Sequence, residues 1–107
     1  MKSTIIGIIT AASLMVAGSA VAADTAMALL KKNECLGCHK MEGKLVGPGF
    51  AEVAKKYKND ASAAEKLSSK VSKGGSGVWG TMPMPPMSAV KPEDLKVIIA
   101  HILSNGK

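Results

Sequence analysis

From Phe50 onward the apolar positions of the chain recur at helical spacing. Phe50, Val53, Ala54 and Tyr57 mark one short helix, since residues three and four apart share a face. Ala64, Leu67 and Val71 do the same for the next, with Asn59 or Asp60 available as its cap and Gly74-Gly75 to end it. Leu95, Ile98, Ile99, Ile102 and Leu103 form the stripe of a final helix. Pro92 opens that helix at a favoured first-turn position and Glu93 and Asp94 complement its dipole, although Lys91 is a poor N-cap residue. Upstream, Ala26, Met27, Leu29 and Leu30 followed by Lys31 and Lys32 predict a first short amphipathic helix. No segment alternates as a strand would, and no internal repeat or domain linker interrupts the pattern. The expectation is one all-α domain of four to five helices.

The N-terminus follows a different rule. Lys2 precedes an apolar run from Ile5 to Val16, and small residues follow from Ala17 to Ala23. This is the layout of a secretory signal peptide. Cleavage after Ala22 or Ala23 fits the small-residue rule. Taking Ala23, residues 1–23 are the signal peptide and residues 24–107 the working domain, located in the periplasm and without a membrane span once the signal is removed.

Composition sharpens the picture at two points. The chain has one Phe, one Tyr and one Trp, so a domain this short has a thin core and calls for a staple. The net charge is +6, falling to +5 when Lys2 leaves with the signal peptide, and every cation is a lysine. Without arginine there is no planar bidentate phosphate recognition, and the aromatics are too few for base stacking. A nucleic-acid role is thereby disfavoured. The lysines suit solubility or the steering of an acidic partner.

Both cysteines fall in Cys35-Leu36-Gly37-Cys38-His39. Cys-x-x-Cys-His is the attachment pattern of a c-type haem. Each thiol adds to one vinyl group, and the histidine that follows binds the iron through one imidazole nitrogen. The segment therefore implies one covalent haem c per chain, carried by Cys35 and Cys38, with His39 as an axial ligand. A thioredoxin-type redox pair would expect a βαβ pattern, which is missing, and a zinc site would need a fourth ligand, for which His101 is the sole further histidine. The Gly- and Pro-rich stretch from Gly74 to Pro86 reads as a loop. Three thioethers, Met82, Met84 and Met87, lie in it or just beyond it, and prolines flank Met84 on both sides. A stiff loop of this kind can hold one sulfur near a metal.

At this point the chain resembles the small soluble bacterial class I cytochromes c, of the short type found in denitrifying and nitrifying bacteria. The matching pieces are the Cys35–His39 motif, Val46-Gly47-Pro48, the stretch from Lys73 to Gly80 with Gly77-Val78-Trp79-Gly80, and Pro83-Met84-Pro85-Pro86. The resemblance implies a compact helical fold wrapped around the haem. It implies Met84 as the second axial ligand, the Pro48 carbonyl as acceptor for the other nitrogen of His39, and a Trp79 indole N–H that reaches a haem propionate. The function it implies is a diffusible carrier of single electrons and not an enzyme, and the expected state is a monomer. Its partners would be redox proteins with acidic docking surfaces, an upstream donor and a reductase, peroxidase or oxidase. Lys32, Lys40, Lys44 and Lys73 are the lysines expected near the haem edge. The alternative is a haem peroxidase or small-ligand sensor with a labile methionine.

Three positions depart from that pattern. Met87 stands where the family usually has an asparagine whose amide donates to the axial sulfur. Losing that donor should leave more electron density on the sulfur and lower the potential, unless apolar burial around Met87 offsets it or the Ser88 hydroxyl donates instead. Lys70 lies where an arginine often sits beside a propionate, so a point charge replaces a fork. His101 takes the place of an aromatic in the last helix and, at the edge of the apolar stripe, reads as a structural or exposed histidine.

Overall fold

The computed structural model describes residues 14–105. The positive flank and most of the apolar run expected of a signal peptide lie outside these residues. Four α-helices follow one another: α1 Leu14–Lys32, α2 Phe50–Lys56, α3 Ala63–Lys73 and α4 Pro92–Ser104, with a single 3-10 turn at Cys35–Gly37 between α1 and α2. There is no strand among the described residues, only an isolated antiparallel bridge between Gly75 and Met84. The all-α expectation holds. No helix among the described residues is long and apolar enough to cross a membrane.

α1 is longer than the spacing of Ala26 to Leu30 suggested, and it runs without a break through Ala22 and Ala23. The reason is local. The segment is rich in alanine, the best helix former, and contains no proline to stop it. Ala26 and Leu30, four apart, are fully buried, so the working end of the helix docks by one narrow stripe.

α2 begins where Gly49 leaves an extended conformation, and it buries Phe50, Val53 and Ala54. α3 buries Ala63 and Leu67, whereas Ala64 is exposed. The face is thus set by a spacing of four, Ala63, Leu67 and Val71, rather than by the spacing of three that would include Ala64. Asp60 does not cap α3 in the expected way. Its carboxylate accepts from the backbone N–H of Ser62 at 2.9 Å and meets the Lys66 ammonium at 2.7 Å. The result is a turn that leads into the helix. The hydrogen bond from Lys66 holds the Asp60 carboxyl below the usual range, and the same bond raises Lys66.

α4 is the hub. It packs against α1, α2 and α3, and it buries Leu95, Ile98, Ile99 and Ile102. Pro92 opens it as expected. With Leu30, Phe50, Val53, Leu67 and Val90 these side chains form one cluster, each worth about 1.5–3 kcal/mol when fully buried. No polar or charged residue is buried among the described residues. His101 is half-buried on α4, and its Nε2 is a buried ring nitrogen with no hydrogen-bond partner among them. An aromatic hydrocarbon at that position would be spared this desolvation.

Candidate functional site

The Cys35–His39 segment is shaped by its own backbone. Glu34, two residues past the end of α1, opens the 3-10 turn in the left-handed region at φ 61°, and Gly37, Cys38 and His39 close back onto the carbonyls of Glu34 and Cys35 at 3.0–3.2 Å. This compact turn brings Cys35, Cys38 and His39 to the wall of one cavity. Both thiols are free. Cys38 is exposed and Cys35 is half-buried, and that burial pushes the Cys35 thiol up against a smaller opposing effect of its own backbone.

The next loop is stapled to that turn. The amides of Val46 and Gly47 both donate to the Cys38 carbonyl, at 3.2 and 2.8 Å. Phe50 and Ala51, the first residues of α2, donate to the carbonyls of Lys40 and Met41. The His39 ring stacks on Phe50, with centroids 5.2 Å apart, and its Nδ1 lies 2.8 Å from the Pro48 carbonyl. A carbonyl can only accept, so Nδ1 of the neutral ring carries the proton and Nε2 keeps its lone pair for a metal.

The rest of the wall comes from the Gly/Pro loop, α3 and the helical core. Ser76 to Trp79 and Met82 to Pro85 line the same cavity, as do Lys44, Lys70 and the core side chains Phe50, Val53, Leu67, Val90, Leu95, Ile98, Ile99 and Ile102. The cavity measures about 350 Å³, and its wall is mostly apolar. The donor set fits a covalently held haem: two thiols, one imidazole with a free Nε2, the thioethers of Met82 and Met84, and an apolar enclosure for the macrocycle. Among the described residues no group of His, Cys, Asp or Glu could hold a separate metal ion.

The structure thus brings Cys35, Cys38, His39, Pro48, Lys70, Trp79 and Met84 to one place. Met82 also lines the cavity but is 65% exposed, whereas Met84 is half-buried. Met87 packs against the helical core and is not part of the cavity wall, nor is His101. Of the lysines expected near the opening, Lys44 lines it. Lys32, Lys40 and Lys73 are exposed elsewhere, and Lys70 takes a place among the lining instead. Three contributions were not anticipated. Lys56 at the end of α2 places its ammonium 5.5 Å over the Trp79 ring, a cation–π contact that ties the loop to the helix. Gly74 and Gly47 matter through what a side chain there would strike. Only the Gly47-Pro48 and Gly74-Gly75 pairs hinted at this in the sequence, and they read simply as turns.

Gly47 lies flat against the imidazole. A Cβ at this position would stand 2.6 Å from Cε1 and 3.0 Å from Nδ1 of His39. Gly47→Ala is therefore expected to tilt the ring and break the bond to Pro48. The check is the Nδ1 proton resonance of His39 in the haem-loaded protein, which should lose its protection from exchange. A variant with that proton as protected as in the wild type would remove the steric role of Gly47.

The sequence profile of the cytochrome c family matches residues 23–106. Cytochrome c-552 of Nitrosomonas europaea is 44% identical over 105 residues, which cover 97% of this chain and 98% of that protein. Cytochrome c-552 of Hydrogenobacter thermophilus is 46% identical over 76 residues, 71% of this chain and 76% of that one. Among solved structures, the crystal structure of wild-type Nitrosomonas europaea cytochrome c552 superposes with a TM-score of 0.71 at 43% identity, covering 74% of this chain and 98% of that chain. The class 1 cytochrome MtoD of Sideroxydans lithotrophicus gives 0.67 at 28% identity, with 78% and 96% covered. A helical domain with a Cys-x-x-Cys-His turn on an apolar cavity, matched across nearly its whole length, belongs to the cytochrome c family, among the small monohaem class I members that carry one covalent haem c and transfer electrons.

Proposed function

We propose that this chain is a periplasmic carrier that holds its haem iron between His39 and Met84 and exchanges single electrons with acidic redox partners. Residues 1–23 direct export and are removed after Ala23. The observation that carries the reading is the meeting of Cys35, Cys38, His39 and Met84 on one apolar cavity, with His39 Nδ1 already engaged by Pro48. When bound, the haem supplies the one-electron couple. The residues do the rest. Cys35 and Cys38 would tether the group, and His39, its orientation fixed by Pro48 and Phe50, would offer Nε2 to the iron. Met84 would offer its thioether as the second ligand, and a His/Met pair raises the reduction potential of a haem. The core side chains on the cavity wall exclude water. Trp79 and Lys70 also line the cavity, where the indole N–H would serve a propionate and the ammonium would supply a compensating charge. A peroxidase or ligand sensor would need Met84 to leave readily, and the two backbone bonds that join Met84 to Gly75 work against that.

The reading is tested by the mass and visible spectrum of protein made with a c-type haem maturation system. The expected product starts at Asp24, carries one haem, and shows a sulfur-to-iron band near the red edge. High-spin ferric haem that binds carbon monoxide readily on reduction would overturn the carrier in favour of the sensor or peroxidase.

Lys44 and Lys70 at the cavity give the opening a positive character, offset there only by Glu52. Association with an acidic redox partner should slow steeply as salt is added, because exposed charges are screened beyond about 8–10 Å. A rate independent of ionic strength would reject the steering.

Met87 packs on the core and its amide donates to the Val71 carbonyl at 2.8 Å. Met87→Asn should therefore cost about 1–3 kcal/mol of stability by exchanging apolar packing for an amide, and should raise the midpoint potential if the new amide donates to the Met84 sulfur. Thermal melts and voltammetry read the two effects separately. A potential that is unchanged or lower would take position 87 out of the tuning of the site.

A further inference from the structure

The loop that carries Met84 is seated on the end of α3 by main-chain contacts. Gly75 and Met84 exchange both backbone hydrogen bonds, at 3.0 and 2.8 Å, and the Met87 amide donates to Val71 at 2.8 Å. Between these bonds lies Gly74, the C-cap of α3, at φ 72° and ψ −170°. A Cβ built there would stand 2.5 Å from the Met84 carbonyl oxygen, 2.7 Å from the Pro86 nitrogen and 2.9 Å from the Pro85 carbonyl carbon. All three atoms belong to the backbone. None can swing aside as the end of a side chain could, and the two prolines stiffen the segment further. The atom struck first, the Met84 carbonyl oxygen, is also the acceptor for Gly75, so any shift that relieves the clash pulls on that bond.

We propose that Gly74 is a positioning residue for Met84: the missing side chain at the end of α3 lets residues 84–86 close onto the helix, and this closure keeps the thioether at the cavity. The proposal rests on the reading of Met84 as an axial ligand. It adds that the hold on the sulfur is set by a residue that touches neither haem nor iron. Gly74 then decides how firmly the sixth position is closed, and so where the protein stands between a carrier and a binder of small ligands.

The test compares haem-loaded Gly74→Ala with Gly43→Ala. Gly43 also has a positive φ, 80°, but a Cβ there meets nothing within 4 Å, and the residue is not part of the cavity wall. Both variants place alanine at a positive φ; only Gly74→Ala carries the backbone clash. Ferric protein is titrated with imidazole, which competes with the thioether. Gly74→Ala should bind imidazole roughly tenfold more tightly than the wild type or better, the scale expected of an overpacking clash passed on to the ligand, and Gly43→Ala should not. Equal shifts in the two variants, or no shift in Gly74→Ala, overturn the proposal. A wild type that lacks the sulfur band overturns instead the reading of Met84 as ligand. If Gly74→Ala does not fold, amide exchange in the wild type decides. Coupling between two sites is reciprocal, so saturating imidazole should strip protection from the Gly75 and Met84 amides together. Protection unchanged by imidazole overturns the proposal as well.

Discussion

The helices of this protein pack around a space, and the side chains that make the core also make the wall of the site. Phe50, Val53, Leu67, Val90, Leu95, Ile98, Ile99 and Ile102 belong to both. At roughly 24 cal/mol per Å³, keeping a volume of about 350 Å³ free of packing atoms costs at most on the order of 8 kcal/mol. That is comparable to the whole stability of a small domain. A chain with one Phe, one Tyr and one Trp has little else with which to fill its middle. The haem therefore answers a packing requirement as well as a chemical one. The position of α4 follows from the same constraint, because that one helix must supply the floor of the space while still reaching α1, α2 and α3.

A thin core leaves the loops to be held by other means, and they are held by main-chain hydrogen bonds. The Cys38 carbonyl accepts from both Val46 and Gly47, the Lys40 and Met41 carbonyls accept from the first turn of α2, and Gly75 pairs with Met84. Each bond contributes only about 0.5–1.5 kcal/mol net. Their value lies in direction, since each fixes one loop relative to a neighbouring turn or helix end. Close approach of this kind is open only to residues without a Cβ, which places glycines at positions 47 and 74.

Much of this was legible in the sequence, for identifiable reasons. α2 and α4 carry enough large apolar residues for the period to show, and Pro92 marks a start that tertiary contacts leave unchanged. The inner face of α3 was one residue off, because alanines at 63 and 64 both satisfy a helical period with Leu67 and only packing chooses between them. The length of α1 was missed because the small residues that suit a cleavage site are also good helix formers. At the site, the motif from Cys35 to His39 declares its own chemistry through spacing. The Pro48 contact to His39 came from resemblance to relatives, since eight residues of irregular loop lie between the two and no periodicity links them. The Lys56–Trp79 contact and the close approaches at Gly47 and Gly74 join segments distant in the chain or depend on how a loop closes, so no local pattern carries them. Lys70 was legible only through the family pattern, and Lys32, Lys40 and Lys73 illustrate the converse: charge in sequence says little about which lysines reach one opening.

The same division of labour bears on how such a protein can pass electrons under varied conditions. The groups that hold the two proposed iron ligands are backbone atoms, the Pro48 carbonyl for His39 and the amide and carbonyl of Gly75 for Met84. None of these ionises, and no polar or charged side chain is buried among the described residues. The groups that hold the ligands therefore carry no titrating charge of their own, unlike a network of buried ion pairs. Charge is confined to the surface, where Lys44 and Lys70 face the opening and Lys56 covers Trp79. There it acts at long range on partners and is open to screening. Geometry at the iron and attraction toward partners are thus set by different kinds of interaction, so a change in one leaves the other largely intact. The exception is the loop from Gly74 to Met87, which touches both: it carries the thioether on the side seated against α3 and Trp79 at the cavity mouth. A substitution there is the one most able to alter ligand and docking together.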